Sequence, residues 1–261
     1  MRHRLLAAAL LLLTVSAAGC GRGPGPSAWV ESAGGGGAGT DAASPSGSPR
    51  TPSGSPRAPS GTPRSSPQSP RVLSRVPTRD KVVFLTYDDG AERDPRFVEM
   101  VRERRLPVSL FLTDSVAGPG YGHFARLRAV GATLHNHTMD HAALRGMPYA
   151  GQRAEICGQQ NKLKSRFGIR PALLRPPYGM YDGTTLRAAR DCGVEALVLW
   201  RVTATDTDTH FTEGPHRLLP GDIISVTPDE TPGPTLVART TRLLKEIEDQ
   251  GLRVGRLEDY V

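Results

Sequence analysis

The chain has 261 residues, 38% of them hydrophobic, and a formal net charge of +7 at pH 7. Residues 1–79 hold nine arginines against Glu31 and Asp41, which leaves 24 of the 33 basic and 24 of the 26 acidic side chains for residues 80–261. The carboxyl-terminal part is therefore neutral and lacks the basic excess of nucleic-acid-binding domains, so no nucleic-acid partner is expected.

The first 19 residues have the pattern of a signal peptide. Arg2 and Arg4 precede an apolar run at residues 5–13, and small residues lead to Cys20. The segment 17–20, Ala-Ala-Gly-Cys, resembles a bacterial lipobox, in which the cysteine is lipidated. We therefore expect an exported lipoprotein held at the extracellular face of the cell membrane by Cys20. Ordinary secretion, with cleavage nearby, is the alternative.

Residues 20–79 read as a disordered linker. The segment is rich in Gly, Pro, Ser, Thr and Arg and nearly devoid of apolar residues, so it cannot bury enough surface to offset its ordering entropy. A degenerate Ser/Thr-Pro-Arg repeat occurs at residues 48–50, 55–57, 62–64 and 69–71. Regularly spaced prolines would stiffen this tether.

Residues 80–261 show the alternating strand and helix patterns of one α/β domain. The predicted strands are 82–87, 108–113, 132–136, 173–175, 195–200, 223–226 and 252–254. The predicted helices are 94–105, 121–130, 150–167, 182–192 and 235–250. This alternation predicts a parallel sheet, curled into a barrel.

Two adjacent carboxylates, Asp88 and Asp89, follow the first strand of this domain and precede Gly90. Inside a strand one of the two charges would point into the core, whereas at the carboxyl end of a strand both can reach one cleft. Catalytic residues of α/β sheets and barrels lie at that end. A solvated turn is the alternative for this tripeptide taken alone.

Two histidines, His137 and His141, follow the third strand with the i, i+4 spacing of one side of a helical turn. With one carboxylate they would form a three-ligand site that leaves a position open for water, as in catalytic zinc sites. Arg175 follows the fourth strand and could orient a carboxylate and keep it ionised. The pairs His135/His137 and Asp206/Asp208 lack a third ligand nearby, so no second metal site is expected.

These motifs together resemble the polysaccharide deacetylase family of the NodB-homology type, carbohydrate esterase family 4. Residues 86–90, Thr-Tyr-Asp-Asp-Gly, are similar to its first motif; residues 136–141 match its His-x-x-x-His motif, and residues 175–179, Arg-Pro-Pro-Tyr-Gly, its third. The resemblance implies a distorted (β/α) barrel with fewer than eight strands. It also implies a hydrolase that removes acetyl groups from N-acetylated or O-acetylated polysaccharide and that uses a divalent metal, most often zinc in this family.

The resemblance also implies a role for each residue. Asp89, His137 and His141 would bind the divalent metal, and Asp88 would be the general base for the water that the metal activates. Arg175 would pair with Asp88, and the backbone N–H of Tyr178 would stabilise the oxyanion. The expected partners are peptidoglycan, a chitin-like polymer, poly-N-acetylglucosamine or acetylated xylan, and the protein is expected to be a monomer.

The last two motifs depart from the family pattern. In the fourth, Asp206 remains as a catalytic candidate, whereas Thr203 and Thr207 replace the usual first Asp and Trp. In the fifth, Leu-x-His becomes Ser225-Val226-Thr227, so the histidine that protonates the leaving amine is missing. Threonine is no general acid near neutral pH.

Two hypotheses follow from the missing histidine. The first is an active deacetylase in which another group supplies the proton; the candidates are Asp229, Glu230, His210 and His216. The second is a catalytically impaired domain that binds polysaccharide and retains the metal. The intact base, metal ligands and arginine favour the first.

Cys157 and Cys192 fall on two successive predicted helices. Export permits a disulfide, which we expect, although two separately buried thiols are the alternative.

Overall fold

The computed structural model describes residues 68–91, 93–227 and 235–261. The expected signal peptide, Cys20 and linker residues up to 67 lie outside the described residues, as do Asp229 and Glu230. Within the described ranges, no helix has the length and apolar character needed to cross a membrane.

One sheet forms the centre of the domain, with strands in the order β1-β6-β5-β4-β3-β2-β9-β7-β8 and with β10 paired to β2. The strands are β1 (Arg71–Leu73), β2 (Val82–Asp89), β3 (Val108–Leu112), β4 (Thr133–Asn136), β5 (Leu173–Leu174), β6 (Ala196–Val198), β7 (Val202–Ala204), β8 (Thr209–Phe211), β9 (Ile223–Val226) and β10 (Arg253–Val254). The pairs are parallel except β7–β8, which is an antiparallel hairpin.

Helices follow most of the parallel strands. They are α1 (Pro95–Arg104), α2 (Asp114–Ala117), α3 (Tyr121–Ala129), α4 (Tyr149–Phe167), α5 (Gly183–Asp191) and α6 (Leu236–Asp249). The Asp94 side chain caps α1 with a bond from the Arg96 N–H, and Gly168 ends α4 at a left-handed φ of 71°. The curled, parallel-rich sheet with its helices confirms the predicted distorted (β/α) barrel of the family type.

The two faces of β2 contribute to different parts of the core. Val83, Leu85 and Tyr87 join a cluster that includes side chains of α1, α3 and α6. Phe84 on the other face joins a cluster formed by residues of the neighbouring strands and by Leu257 from the carboxyl terminus. Because side chains alternate along a strand, Asp88 shares the face of Phe84 and Thr86, which is the face opposite α1 and α6.

The folded domain begins earlier than the sequence patterns indicate. The sequence patterns place residues 71–79 in the linker, but β1 pairs in parallel with β6, with Arg71 opposite Ala196 and Leu73 opposite Val198. The linker boundary at residue 79 is therefore wrong. Val72 and Leu73 are two apolar residues in a polar segment, and only their packing against the domain shows that they form a strand.

Candidate active site

Asp89 is turned into the site by an unusual backbone conformation at the end of β2. On a regular strand it would share the face of Leu85 and Tyr87, but its φ of 64° lies in the left-handed region. Gly90 follows at φ 85°, and a Cβ there would lie 2.8 Å from the Phe124 ring. Both carboxylates thus reach the cleft, as the Asp-Asp-Gly pattern predicts. Position 90 must be glycine because the Phe124 ring leaves no space for a side chain there.

The two histidines lie in an irregular loop, residues 137–141, that follows β4. The prediction of a helical turn between them is wrong, because Thr138 and His141 have left-handed φ values of 73° and 56°. The i, i+4 spacing nevertheless brings the two rings together, with centroids 4.9 Å apart. Contacts with other parts of the fold determine the conformation of this loop, so the sequence pattern alone could not predict it.

Asp89, His137 and His141 form the cluster of potential metal ligands among the described residues, with their ligand atoms within 4.8 Å of one another. Asp89 Oδ1 lies 3.6 Å from His137 Nε2 and 3.4 Å from His141 Nε2. This oxygen is buried and has no hydrogen-bond partner. A buried carboxylate oxygen facing two imidazole nitrogens is the donor set that a divalent cation such as zinc satisfies, so these residues fit a metal.

The surroundings of His137 prepare its Nε2 for such a ligand. Its Nδ1–H donates to the Arg175 carbonyl at 2.8 Å, which leaves the Nε2 lone pair directed at Asp89. Burial lowers the pKa of His137, and this effect outweighs the nearby carboxylates, which raise it. The imidazole is therefore neutral near pH 7, as a metal ligand must be.

Asp88 is held by two partners. Arg175 Nη1 donates to its Oδ1 at 2.7 Å, and the Ser225 hydroxyl donates to its Oδ2 at 3.1 Å. Arg175 confirms the predicted contact between the third motif and this carboxylate. The motifs do not identify Ser225 as a site residue, because in sequence it is only a departure from the fifth motif. Its hydroxyl reaches Asp88 because β9 pairs directly with β2.

Arg175 is completely buried, and all three nitrogens of its guanidinium donate hydrogen bonds. It donates to the carbonyls of Val198 and Leu199 as well as to Asp88, and it lies 4.4 Å from the centre of the Phe111 ring. Burial lowers the pKa of Arg175, against the opposing effect of Asp88, but a guanidinium retains its charge at neutral pH. The arginine thus places a fixed positive charge behind Asp88.

Tyr178 lies at the rim of the site in the 3₁₀ turn Pro177–Gly179. Its φ is 60°, its side chain is 62% exposed, and its ring centre is 4.7 Å from that of His141. The N–H groups of Gly179 and Met180 are used within the turn, where they donate to the carbonyls of Pro176 and Pro177. The Tyr178 ring therefore lies against the ring of the predicted metal ligand His141.

The fourth and fifth motif residues lie at the same end of the sheet. Asp206 follows β7 and forms an ion pair with Arg239 of α6 at 2.9 Å. The arginine that pairs with Asp88 is a different one, Arg175. Thr227 follows β9, and its N–H donates to the Ala204 carbonyl at 3.2 Å. Thr227 is thus adjacent to the end of β7, and its hydroxyl donates to that same carbonyl.

His210 and His216, two candidates for the missing acid, line a surface cleft beside the β7–β8 hairpin. The cleft also includes Asp208, Phe211, Arg242 and Glu246, and none of the predicted metal ligands or Asp88 lines it. His216 stacks on Phe211, with ring centres 5.9 Å apart. These two histidines are therefore not among the side chains that the fold brings together around Asp88.

The expected disulfide is confirmed. Cys157 on α4 and Cys192 at the end of α5 are bonded, with their Cα atoms 5.1 Å apart.

Comparison with known proteins identifies related sequences. A family model described as polysaccharide deacetylase matches residues 75–197. An uncharacterized protein of Streptomyces coelicolor is 66% identical over 191 residues, which cover 73% of this chain and 77% of that protein. A peptidoglycan-N-acetylglucosamine deacetylase of Bacillus cereus is 24% identical over 188 residues, which cover 68% of this chain and 67% of that protein.

Solved structures show the same fold. A carbohydrate esterase family 4 pseudoenzyme of Bacillus anthracis, in a mutant form described as having restored enzymatic activity, superposes with a TM-score of 0.62 at 18% identity. The superposition covers 74% of this chain and 72% of that chain. The family match over residues 75–197, which holds the first three motifs, thus identifies a polysaccharide deacetylase domain in this chain, and the solved structures show that its fold is that of carbohydrate esterase family 4.

Proposed function

We propose that this protein is a metal-dependent hydrolase that removes acetyl groups from N-acetylated, or less often O-acetylated, cell-wall or extracellular polysaccharide. The observation that carries the proposal is the convergence of Asp89, His137 and His141 beside Asp88, which Arg175 holds from the buried side. This arrangement unites a three-ligand metal site with a positioned carboxylate, the two elements that hydrolysis by an activated water requires.

Each residue then has a defined role. Asp89, His137 and His141 would hold the metal, which supplies Lewis-acid chemistry when bound. Asp88 takes the proton of the attacking water, and its bonds to Arg175 and Ser225 fix the orientation of the carboxylate. The Tyr178 N–H stabilises the negative charge that develops on the acetyl oxygen. Catalytic zinc sites have three nitrogen or oxygen ligands from the protein and a fourth position for water or substrate, so we propose zinc as the metal.

Asp206 acts through Arg239 rather than on the substrate in this proposal. Its ion pair fixes the loop after β7, next to Thr227. The proton for the leaving amine must then come from another group. Asp229 and Glu230 are the nearest candidates in sequence to Thr227, and an ester substrate, whose alcohol leaves more readily than an amine, would need such a proton less.

The second candidate function is a polysaccharide-binding domain with impaired catalysis. Thr227 favours it, because the position that usually holds the general acid carries a hydroxyl bonded to a backbone carbonyl. A family 4 pseudoenzyme of Bacillus anthracis has a related fold, so proteins with impaired catalysis occur among its structural relatives. The intact base, arginine and metal ligands support the hydrolase over this alternative.

We further propose that the protein works at the extracellular face of the membrane. The support is the sequence pattern of residues 1–20, with lipidation of Cys20 and the arginine-rich linker as the tether. Peptidoglycan would then be the substrate within reach, and it is also the substrate named for the Bacillus cereus relative.

Acetate release is the experiment that tests the proposal. The full chain is incubated with N-acetylglucosamine oligomers, peptidoglycan and acetylated xylan, with added zinc and with a chelator, beside the variants Asp88→Asn and Asp89→Asn. We expect metal-dependent release by the native protein and a loss of at least about 100-fold in Asp88→Asn. Tight zinc binding without acetate release from any polymer would instead support the binding domain.

A further inference from the structure

The loop 137–141 carries both histidine ligands, and bonds from several elements maintain its irregular shape. The His137 N–H donates to the Leu112 carbonyl at 3.1 Å, and the Thr138 N–H donates to Asn136 Oδ1 at 2.8 Å. The Ser115 N–H donates to the Met139 carbonyl at 2.9 Å. These bonds come from β3, β4 and α2, and they leave the N–H groups of the loop's second half to be satisfied elsewhere.

A single carboxylate oxygen on α4 satisfies those groups. Glu155 Oε2 accepts from the Met139 N–H at 3.1 Å and from the Asp140 N–H at 3.0 Å. Bonds to an ionised acceptor are about twice as strong as neutral ones. The two N–H groups belong to the residues immediately before His141, so the carboxylate holds the segment that determines where this ligand points.

Two neighbours of Glu155 on α4 also contact the loop or the strand before it. The Ile156 carbonyl accepts from Asn136 Nδ2 at 2.9 Å. Gly158 packs so closely that a Cβ placed there would lie 2.8 Å from Met139 Cγ. Helix α4 therefore lies directly against the ligand loop, with Glu155 as its polar contact.

We propose that Glu155 is a positioning residue for the metal centre, which it serves by fixing the His137–His141 loop against helix α4. The inference rests on the proposed metal role of Asp89, His137 and His141. Left-handed conformations are unfavourable for non-glycine residues such as Thr138 and His141, so the surrounding bonds must maintain them. Without the carboxylate, the loop relaxes, and the two imidazoles and Asp89 are no longer placed to bind the same metal ion.

Zinc affinity, measured by competition with a chromophoric chelator, tests this role without reference to activity. We expect Glu155→Ala to bind zinc roughly 10–100-fold more weakly than the native full chain, the usual loss on removing a group that orients metal ligands. Glu155→Gln retains an oxygen that can accept both N–H groups and should lose much less. Glu103→Ala, which removes an exposed glutamate from α1, is the matched control and should bind as the native protein does.

The absorption spectrum of the Co²⁺-loaded protein gives a second readout. Its ligand-field bands should shift in Glu155→Ala and remain unchanged in Glu103→Ala, because only the first variant alters ligand geometry. If Glu155→Ala does not fold, Glu155→Asp takes its place, since the shorter side chain retains the charge but withdraws the oxygen from the loop.

The outcomes separate this inference from the proposed function. A folded Glu155 variant with native zinc affinity and a native cobalt spectrum overturns the positioning role and leaves the hydrolase proposal untouched. A native protein that binds no zinc overturns both. An equal loss of affinity in Glu103→Ala shows a general effect of removing negative charge and also overturns the positioning role.

Discussion

Backbone strain is concentrated at the candidate active site. Of the five described non-glycine residues with positive φ, four lie in its motifs: Asp89, Thr138, His141 and Tyr178. The fifth, Arg105, ends α1. Each such conformation costs about 1–3 kcal/mol and persists only where its surroundings enforce it. Their grouping around one cleft is what a preorganised catalytic site requires, and it agrees with the roles assigned from the motifs.

The most informative single residue is Thr227. Its backbone N–H donates to the Ala204 carbonyl, a hydrogen bond that any side chain at this position leaves available. We expect Thr227→His to restore the missing general acid and to raise the rate of deacetylation of an N-acetylglucosamine oligomer by about 10²–10⁴-fold. Initial rates of acetate release with saturating zinc measure the change.

Thr227→Val is the matched control for this substitution, because it preserves the side-chain volume and provides no acid. It should show no gain. If the histidine variant folds and binds zinc but is no faster than the native protein, the cleft does not bind an amide substrate in a productive position, and the binding-domain hypothesis gains support.

Among the elements, α4 links the site to the rest of the domain, and the Cys157–Cys192 bond fastens it to the end of α5. The bond closes a loop with a sequence separation of 35, for which chain entropy predicts a stabilisation of about 2–4 kcal/mol. We expect reduction to lower the free energy of unfolding by that amount, measured by urea denaturation with and without dithiothreitol.

The double variant Cys157→Ala/Cys192→Ala provides the control for reduction. It should unfold at a lower urea concentration than the oxidised native protein, and dithiothreitol should not change its midpoint. A native protein that is equally stable with and without the reductant would show that the bond contributes little to stability.

At the scale of the whole molecule, the carboxyl-terminal segment closes one end of the curled sheet. Glu258, in the 3₁₀ turn Leu257–Asp259, accepts bonds from His135 at 2.5 Å, Thr133 at 2.6 Å and Ser109 at 3.0 Å. Burial alone would raise the pKa of Glu258, but the bond and charge of His135 and the Thr133 hydroxyl outweigh it and lower the pKa to about 2.

This shift predicts a loss of stability in acid. In the unfolded chain the Glu258 side chain has the ordinary glutamate pKa of about 4.3, whereas in the folded state it is protonated only near pH 2. The stabilisation is therefore complete above pH 5 and falls as the pH decreases through this range, by roughly 2–3 kcal/mol in total. Urea unfolding at a series of pH values measures the slope.

Glu258→Gln removes this titration and is the comparison that isolates it. The variant should be less stable than the native protein near neutral pH, and the difference should shrink between about pH 5 and pH 2. A constant difference across that range would show that Glu258 does not carry the pH dependence.

The sequence by itself determined those features that depend on local patterns. The β–α alternation predicted strands β2–β6, β9 and β10 and helices α1 and α3–α6, but not the β7–β8 hairpin or the short α2. The motifs at strand ends predicted Asp88, Asp89, His137, His141 and Arg175, which the fold brings together. These predictions succeed because a strand-end motif specifies both a residue type and a position. Parallel strands then place their carboxyl ends at one edge of the sheet.

Only the tertiary structure decided the contacts between distant segments. Ser225 reaches Asp88 across 137 positions of the chain, Glu258 reaches His135 across 123, and β1 forms because β6 offers it an open edge. Glu155 holds the ligand loop in the same way, through a helix whose own pattern gives no sign of it. Such pairs have no local signature, because the free energy that selects them arises only when the sheet curls and the segments meet.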